Sequence, residues 1–207
     1  MRKKHRLCLL PSVGVLLLLA AVSCSLDSFP QGFVSPVTPL PFTLDQLLLD
    51  ESVFPAGWRA SGPPSSALEG RGQVDDLMIE IRCLAGSSHA LHDIYRYEDE
   101  RAARRRFRRY SDFSSAERIT PWETPADLDY ESRAAERFRF ACADFRAHPA
   151  GQYTVCQAMG QYNEFISIFS ISFFRENMAN CMAWSDLEQI LETIDERMAH
   201  YLGTEDE

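Results

Sequence analysis

The chain has 207 residues, of which 45% are hydrophobic and 11% aromatic, so it holds enough apolar material for a folded core and is not intrinsically disordered. Its formal net charge of −9 argues against binding to nucleic acid phosphates and against electrostatic adhesion to anionic lipid. Any attachment to a membrane is therefore expected to be covalent.

The first residues of the chain have the layout of a secretory signal. An apolar stretch of about sixteen residues, Leu7–Val22, separates a basic cluster from the small residues that lead to Cys24. This stretch is shorter than the roughly twenty residues of a membrane-spanning helix, and Pro11 interrupts it. The basic cluster consists of Arg2, Lys3, Lys4 and Arg6.

The sequence "AVSC", Ala21–Cys24, resembles the lipobox of bacterial lipoproteins, although Ala21 stands where that motif usually has Leu. The resemblance implies cleavage of a signal peptide, residues 1–23, and a lipid on Cys24 that includes palmitate-like acyl chains. Two or more acyl chains hold a protein stably to a bilayer, whereas one does so only marginally. The expected location is the outer side of a bacterial cell membrane. Ordinary signal cleavage and an uncleaved anchor are the alternatives.

Cleavage would also make the chain more acidic. No acidic residue precedes Asp27, so the mature chain would carry 21 − 4 = 17 basic residues against 30 acidic ones, a net charge of −13.

Residues 24–42 are predicted to form a tether. The segment contains Pro30, Pro36, Pro39 and Pro41 and shows neither helical nor strand periodicity. Such a segment is semi-extended and would hold a domain up to roughly 50 Å from the membrane. An ordinary poorly ordered N-terminus is the alternative. The single globular domain is expected over residues 43–203, and residues 204–207 form an acidic tail.

Four cysteines remain once the signal is removed and Cys24 is lipid-modified. An even number in an exported chain predicts two disulfides, with three possible pairings. We favour a bond that joins two neighbouring strands, which leaves the other two cysteines to form the second. The favoured pairs are Cys142–Cys156 and Cys83–Cys181. A zinc site is the competing interpretation, but the sequence has no C-x-x-C and no paired His spacing.

The first half of the domain is predicted to run from a short helix to a hairpin and a second helix. Thr43 and Gln46 form a capping-box pattern, and "FPAGW" then breaks the helix. Residues 76–85 and 89–99 are strand candidates separated by Gly-Ser-Ser. The helix that follows places Ala103, Phe107 and Tyr110 on one apolar face.

Arginines cover much of the rest of this second helix, namely Arg101, Arg104, Arg105, Arg108 and Arg109. One interpretation is a docking face for an anionic partner, such as a wall polymer or lipid headgroups. The other is a solvated face whose arginines pair with the carboxylates of a strongly acidic protein.

The second half is predicted to contain three strands and a terminal helix. Residues 165–174 carry aromatic and β-branched side chains on both sides, which indicates a central strand covered on both faces. Ser185 and Glu188 are expected to cap the last helix, in which an apolar stripe runs from Leu187 to Tyr201. The predicted fold class is α+β, an antiparallel sheet of about five strands with helices packed on one face in two layers.

Three short motifs, "FPAGW", "YRYED" and "RFAC", resemble exported sensor-type domains that occur as lipoproteins and as the outer parts of bacterial receptor kinases. The resemblance implies a small disulfide-bearing α+β domain with a cleft. It carries over no functional residues.

No catalytic or cofactor-binding motif stands out. His89 and His92 lie three apart in a predicted strand, which points them to opposite faces, so a metal pair is not expected. We therefore expect a non-enzymatic lipoprotein with no cofactor and no metal, which binds a small molecule, an envelope polymer or a protein partner, and no nucleic acid. The alternatives are an envelope hydrolase that uses these histidines and nearby acids, or an assembly lipoprotein that docks through the arginine helix.

Overall fold

The computed structural model describes residues 38–66, 73–110, 118–128, 130–146, 151–174 and 181–203, all within one compact unit that begins at Pro36. The predicted signal peptide, Cys24, most of the predicted tether and the acidic tail lie outside the described residues.

The described part of the chain is built on a six-stranded antiparallel sheet with the order β1-β2-β3-β6-β5-β4. The predicted hairpin and the three later strands are present. The sixth strand, β1, was missed because it has only three residues and follows directly on a turn at Gly57. The strands are β1 Trp58–Ala60, β2 Gln73–Cys83, β3 His89–Tyr97, β4 Arg137–Arg146, β5 Gln152–Tyr162 and β6 Phe165–Phe174.

Strand β6 is central, as its composition predicts. It lies between β3 and β5, with Ile168 opposite Asp93 on one side and Met159 on the other. Phe169 is 1% exposed on one face of the sheet and Ile166 is fully buried on the other. Because both faces of this strand are apolar, both need to be covered.

The two α-helices that the described residues form cover opposite faces, which differs from the predicted one-sided, two-layer arrangement. Helix α1, Glu100–Arg109, packs Ala103 and Phe107 against Ile166, Ile168 and Met159. Helix α2, Trp184–Leu202, belongs to the larger core on the other face, with Phe165, Phe169 and Ile171 of β6. Side chains alternate along a strand, so even and odd positions of β6 belong to different layers. We call these sides the α1 face and the α2 face.

The segment that precedes the sheet forms two 3-10 turns, Leu44–Gln46 and Glu51–Val53, instead of the predicted short α-helix. Leu47, Leu48 and Leu49 are all buried, and three consecutive residues cannot share one face of an α-helix. The capping-box contact is present, since the Thr43 backbone N–H donates to Gln46 Oε1 at 2.9 Å. Leu40 and Phe42, at the end of the predicted tether, pack against the core of the α2 face.

Both predicted disulfides are present, with the favoured pairing. Cys142 and Cys156 lie directly opposite each other in β4 and β5, with Cα atoms 4.0 Å apart. Cys83 at the end of β2 is bonded to Cys181, just before α2, with Cα atoms 6.0 Å apart. Two disulfides in a chain of this size are typical of an oxidising, extracytoplasmic environment.

Candidate functional site

Two open cavities border the C-terminal half of α2. The helix begins after Ala183, whose backbone N–H donates to Asp186 Oδ2 at 2.7 Å, so its cap lies two residues before the predicted Ser185. Its apolar stripe is buried as predicted, and Glu192, Glu196 and His200 of its last three turns are exposed. The cavities lie on either side of Glu196, which lines both.

The first cavity, which we call the N-terminal cavity, has a volume of about 710 Å³. It lies between the 3-10 segment, Pro64, Ile79 and the end of α2. Its volume is within the range of small-molecule sites, roughly 300–1,000 Å³. Arg197 and three carboxylates supply its charged groups, His200 also lines it, and the carboxylates are Asp45, Asp50 and Glu196.

The charged groups of this cavity are partly committed to the fold. Arg197 donates to the Leu48 carbonyl oxygen and to Asp50 Oδ2, the latter at 2.6 Å. Asp50 also accepts from the Ser52 backbone N–H at 2.9 Å. Partial burial would raise the pKa of Asp50, but the hydrogen bonds from Ser52 and Arg197 outweigh it and lower that pKa to about 2. Arg197 thereby ties α2 to the N-terminal segment.

The second cavity, which we call the Asp195 cavity, has a volume of about 630 Å³ and a polar lining. The segment 130–134 forms one wall and α2 forms the other. The rim carries Glu131, Glu192 and Glu196, which are exposed and make no ion pair among the described residues. Arg133 is the one basic residue that lines this cavity.

A buried carboxylate forms the floor of this second cavity. Asp195 is 7% exposed and accepts three hydrogen bonds. The donors are Ser132 Oγ at 2.7 Å, Tyr162 OH at 2.6 Å and the Arg133 backbone N–H at 2.9 Å. A buried carboxylate is tolerated when donors of this kind replace its hydration. Asp195 therefore holds the segment 130–134 and strand β5 against α2.

The tyrosines around Asp195 act as donors. Burial, reinforced by the neighbouring Asp195 carboxylate, raises the pKa of Tyr162 and of Tyr130 well above the ordinary value. Both hydroxyls stay protonated, and Tyr130 OH donates to the Leu191 carbonyl oxygen at 3.1 Å. The cavity thus presents carboxylates and hydroxyls to a ligand, which suits a molecule with cationic or hydrogen-bond-donating groups.

Sequence reasoning missed Asp195 and its partners. The available signal was an acidic residue within the apolar stripe of α2, four residues after Leu191 and three before Met198. Such a residue is buried by the helical period and therefore needs donors. The donors themselves could not be named in advance, because Ser132 and Tyr162 lie 63 and 33 residues away in sequence.

The two candidate histidines point to opposite faces, as expected for a strand. His92 is 1% exposed on the α2 face, where its Nδ1 accepts from the Leu49 backbone N–H at 3.0 Å. Its Nε2 therefore carries the proton and donates to Ser167 Oγ at 2.9 Å. Burial, with a smaller effect of Arg197, lowers the pKa of His92 to about 3. In this tautomer the ring cannot act as a base towards Ser167.

His89 lies at the exposed start of β3 on the α1 face. Its Nδ1 lies 2.9 Å from the hydroxyl of Ser172, the cross-strand neighbour in β6. Among the described residues, no carboxylate is bonded to the His89 ring. A nucleophile and a base are thus adjacent, without the third group that orients the base in a catalytic triad.

The predicted docking arginines lie on the outer side of α1, while Ala103 and Phe107 are buried beneath them as predicted. Arg104 pairs with Glu100. The remaining four are exposed and have no ion-pair partner within the described residues; they are Arg101, Arg105, Arg108 and Arg109. The described carboxylates of the chain therefore do not pair with these four arginines.

Asp93 is a second half-buried carboxyl that sequence reasoning did not single out. It lies on the α1 face between Met78 and Ile168. Burial, and to a smaller extent the negative charge of Asp76, raises the pKa of Asp93 to about 6.

Comparison with family models, with curated proteins and with solved structures gives no match to this chain. Within the described residues, no three His, Cys, Asp or Glu side chains are grouped closely enough to hold a metal ion. Nor is any helix in this part of the chain long and apolar enough to cross a membrane. The function has to be inferred from the chain's own geometry.

Proposed function

We propose that this chain is a lipid-anchored lipoprotein of the bacterial cell envelope whose extracytoplasmic domain binds a small amine-bearing ligand in the Asp195 cavity. The supporting observation is an open cavity of about 630 Å³ that has a buried, fully hydrogen-bonded carboxylate as its floor. Three exposed carboxylates surround it and are opposed by one arginine.

The arrangement favours binding over catalysis. Asp195 already accepts three hydrogen bonds, so it is poorly placed to take a proton from a substrate. The rim residues Glu131, Glu192 and Glu196 are free to contact a cation, and a cavity shields such contacts from solvent better than a flat surface does. The N-terminal cavity is less favourable, since Arg197 occupies it and pairs with Asp50.

The ligand hypothesis is tested by titration calorimetry with spermidine, glucosamine and choline as probes and with N-acetylglucosamine as the uncharged counterpart of glucosamine. We expect the Glu131→Gln/Glu192→Gln variant to lose roughly 5- to 30-fold in affinity for the amine that binds, because each rim charge contributes about 0.5–1 kcal/mol. The matched control is Glu98→Gln/Glu123→Gln, which removes two exposed carboxylates elsewhere and should bind as the parent does.

Equal losses in both variants would show that only the overall negative charge matters, and would rule out the Asp195 cavity as the site. Binding of N-acetylglucosamine as tightly as glucosamine would rule out recognition of the amine. Failure of all three amines to bind would contradict the proposed ligand class.

The lipid anchor at Cys24 is a separate part of the proposal and has its own test. It is supported by the lipobox-like sequence and by disulfides typical of an exported chain. The intact mass of protein extracted in detergent from its native membrane should correspond to a chain that begins at Cys24 with two or more acyl chains. Reduction of the two disulfides should add the mass of four protons. A mass without lipid would contradict the anchor and leave the ligand test unaffected.

A second candidate function, an envelope hydrolase, draws on the contact between His89 and Ser172. A serine beside a histidine at a partly exposed position can in principle form an acyl-enzyme. Turnover of an ester such as p-nitrophenyl acetate that is lost in both His89→Ala and Ser172→Ala would support it. Turnover that persists in either variant would exclude this pair.

A further inference from the structure

Helix α1 carries a dense basic surface, which we call the arginine face. At about 100° per residue, its five members fall within about 140° of the helix circumference. The opposite side of the helix is buried through Ala102, Ala103 and Phe107. The arginine face consists of Arg101, Arg104, Arg105, Arg108 and Arg109.

Among the described residues, one ion pair partly neutralises this surface. Arg104 pairs with Glu100, while the other four members have no ion-pair partner among the described residues. Two further carboxylates precede the helix, but Asp99 is engaged as its N-cap, accepting from the Ala102 backbone N–H at 2.6 Å. The other carboxylate, Glu98, lies one residue before the N-cap and outside the helix. Like charges three or four residues apart destabilise a helix, so an external anion would relieve this repulsion.

The exposed carboxylates of the two cavities lie on the other side of the sheet, while the α1 face holds the largely buried carboxyls of Asp76 and Asp93. The exposed carboxylates of the two cavities flank α2, whereas the arginine face belongs to α1. Each packed layer adds about 10 Å, so the two charged surfaces are separated by roughly 20 Å. That is more than two Debye lengths at physiological ionic strength, about 8 Å each. The net negative charge of the chain therefore does not predict the sign of the electrostatic potential next to the arginine face.

The described N-terminal residues reach the end of β3 that leads into α1, but they do so on the α2 face, since Arg96 lies over the Phe165 ring and Leu40 packs against the core of that face. The Thr38 carbonyl oxygen accepts from Arg96 Nη2 at 2.8 Å. Arg96 lies four residues before the first residue of α1, Glu100. Residues 25–37 are all that separate this point from Cys24, which is a reach of roughly 40 Å when extended.

We propose that the arginine face docks on the anionic phospholipid headgroups of the membrane to which the chain is anchored. This inference rests on the proposed location, and it goes beyond it by fixing how the domain lies on the surface. Guanidinium groups bind phosphate oxygens with paired hydrogen bonds, and each basic side chain near an anionic bilayer strengthens binding about fivefold. The lipid and the basic face then act as two signals for one membrane.

The test is vesicle co-sedimentation of the chain from Ser25 onward, which retains the whole compact unit and carries no lipid. In about 0.1 M salt it should bind vesicles of phosphatidylcholine with about one-third phosphatidylglycerol, and it should not bind pure phosphatidylcholine. Arg101→Gln/Arg105→Gln/Arg108→Gln should weaken binding roughly 100-fold, at about fivefold per side chain.

A matched control removes three exposed arginines that lie outside both cavities and outside α1, Arg59→Gln/Arg82→Gln/Arg118→Gln, with the same change in net charge. This control should weaken binding less than about threefold, and Arg101→Lys/Arg105→Lys/Arg108→Lys, which keeps the three charges, should preserve it. Circular dichroism of each variant confirms that α1 is retained.

Equal losses in the two triple variants, or equal binding to uncharged vesicles, would overturn docking through α1. Failure to bind anionic vesicles while a soluble polyphosphate still binds would assign the arginine face to a polymer instead of a membrane. Because this chain carries no lipid, none of these outcomes depends on Cys24, so a failed anchor and a failed docking face are told apart.

Discussion

On the α2 face of the sheet, a large apolar core is closed by two disulfides, a fully buried Trp58 and a helix of 19 residues. On the α1 face, a helix of 10 residues covers a smaller cluster that includes Met159, Ile166 and Ile168. Exposed carboxylates flank α2, and arginines cover the outer side of α1. The comparison indicates that the α2 face supplies most of the stability, while both outer surfaces are available for binding.

Removal of a disulfide should cause the largest loss in the free energy of unfolding. Both lie on the α2 face, but Cys83–Cys181 closes a loop over a sequence separation of 98 residues and Cys142–Cys156 over one of 14. Loop entropy predicts a loss of about 4.5 kcal/mol in the free energy of unfolding for Cys83→Ser/Cys181→Ser and about 3 kcal/mol for Cys142→Ser/Cys156→Ser. Urea unfolding of both double variants measures this, and a reversed order would show that native contacts outweigh loop closure.

Truncation of one phenylalanine on each face should separate the two cores. Phe169→Ala is expected to lower the free energy of unfolding by about 4 kcal/mol, because Phe169 is 1% exposed and enclosed by the sheet, Phe54 and His92. Phe107→Ala should cost about 2–3 kcal/mol, since α1 can settle into the space. Equal losses in urea titrations would mean that the α1 face is packed as rigidly as the α2 face.

Removal of the hydrogen bonds to Asp195 should cause an intermediate loss in the free energy of unfolding. Asp195→Ala leaves the hydroxyls of Ser132 and Tyr162 without their acceptor, and should lower the free energy of unfolding by about 2–3 kcal/mol. Asp195→Asn, which keeps one carbonyl acceptor, should cost about half as much. Thermal unfolding at neutral pH distinguishes the two, and identical midpoints would show that charge rather than hydrogen bonding holds the segment.

The smallest effect is expected at Asp93 on the α1 face, and it depends on pH. Its pKa of about 6 exceeds the ordinary 3.8, so the folded state binds more protons than the unfolded state between these values. Stability therefore falls as the pH rises through this window, and the cost is complete above it. Asp93→Asn should stabilise the protein by about 1–2 kcal/mol at neutral pH, allowing for partial exposure, and not at about pH 4. In the control Glu98→Gln, the pH slope should match the parent.

Several elements could be predicted from local sequence because their signals lie within one element. The alternating aromatics of β6 indicate two covered faces, and the stripe from Leu187 to Met198 indicates a helix with one buried side. The short 3-10 turns and β1 were missed because a few residues carry too little periodicity to separate them from a helix or a turn.

The candidate sites were harder to predict from the sequence than these elements, because they depend on residues that are distant in sequence and meet in the fold. The sequence shows an arginine-rich helix, but sheet register decides that its apolar side meets Ile166 and Met159, away from the carboxylates of α2. Asp195 is likewise visible in sequence only as an acidic residue in an apolar stripe. Its role as a hydrogen-bond acceptor follows from the fold, in which β5 places Tyr162 OH 2.6 Å from Asp195 Oδ1.

By itself, the sequence determined the parity of the cysteines, the central strand, the last helix and the acidic balance of the chain, because composition and local period carry that information. Only the tertiary structure decided which helix covers which face, which arginines of α1 have no ion-pair partner in the described part of the chain, and which donors surround Asp195. Those outcomes depend on strands that pair across tens of residues, and a shift of one residue in the register of β5 and β6 would move Tyr162, Ile166 and Met159 to the other face of the sheet.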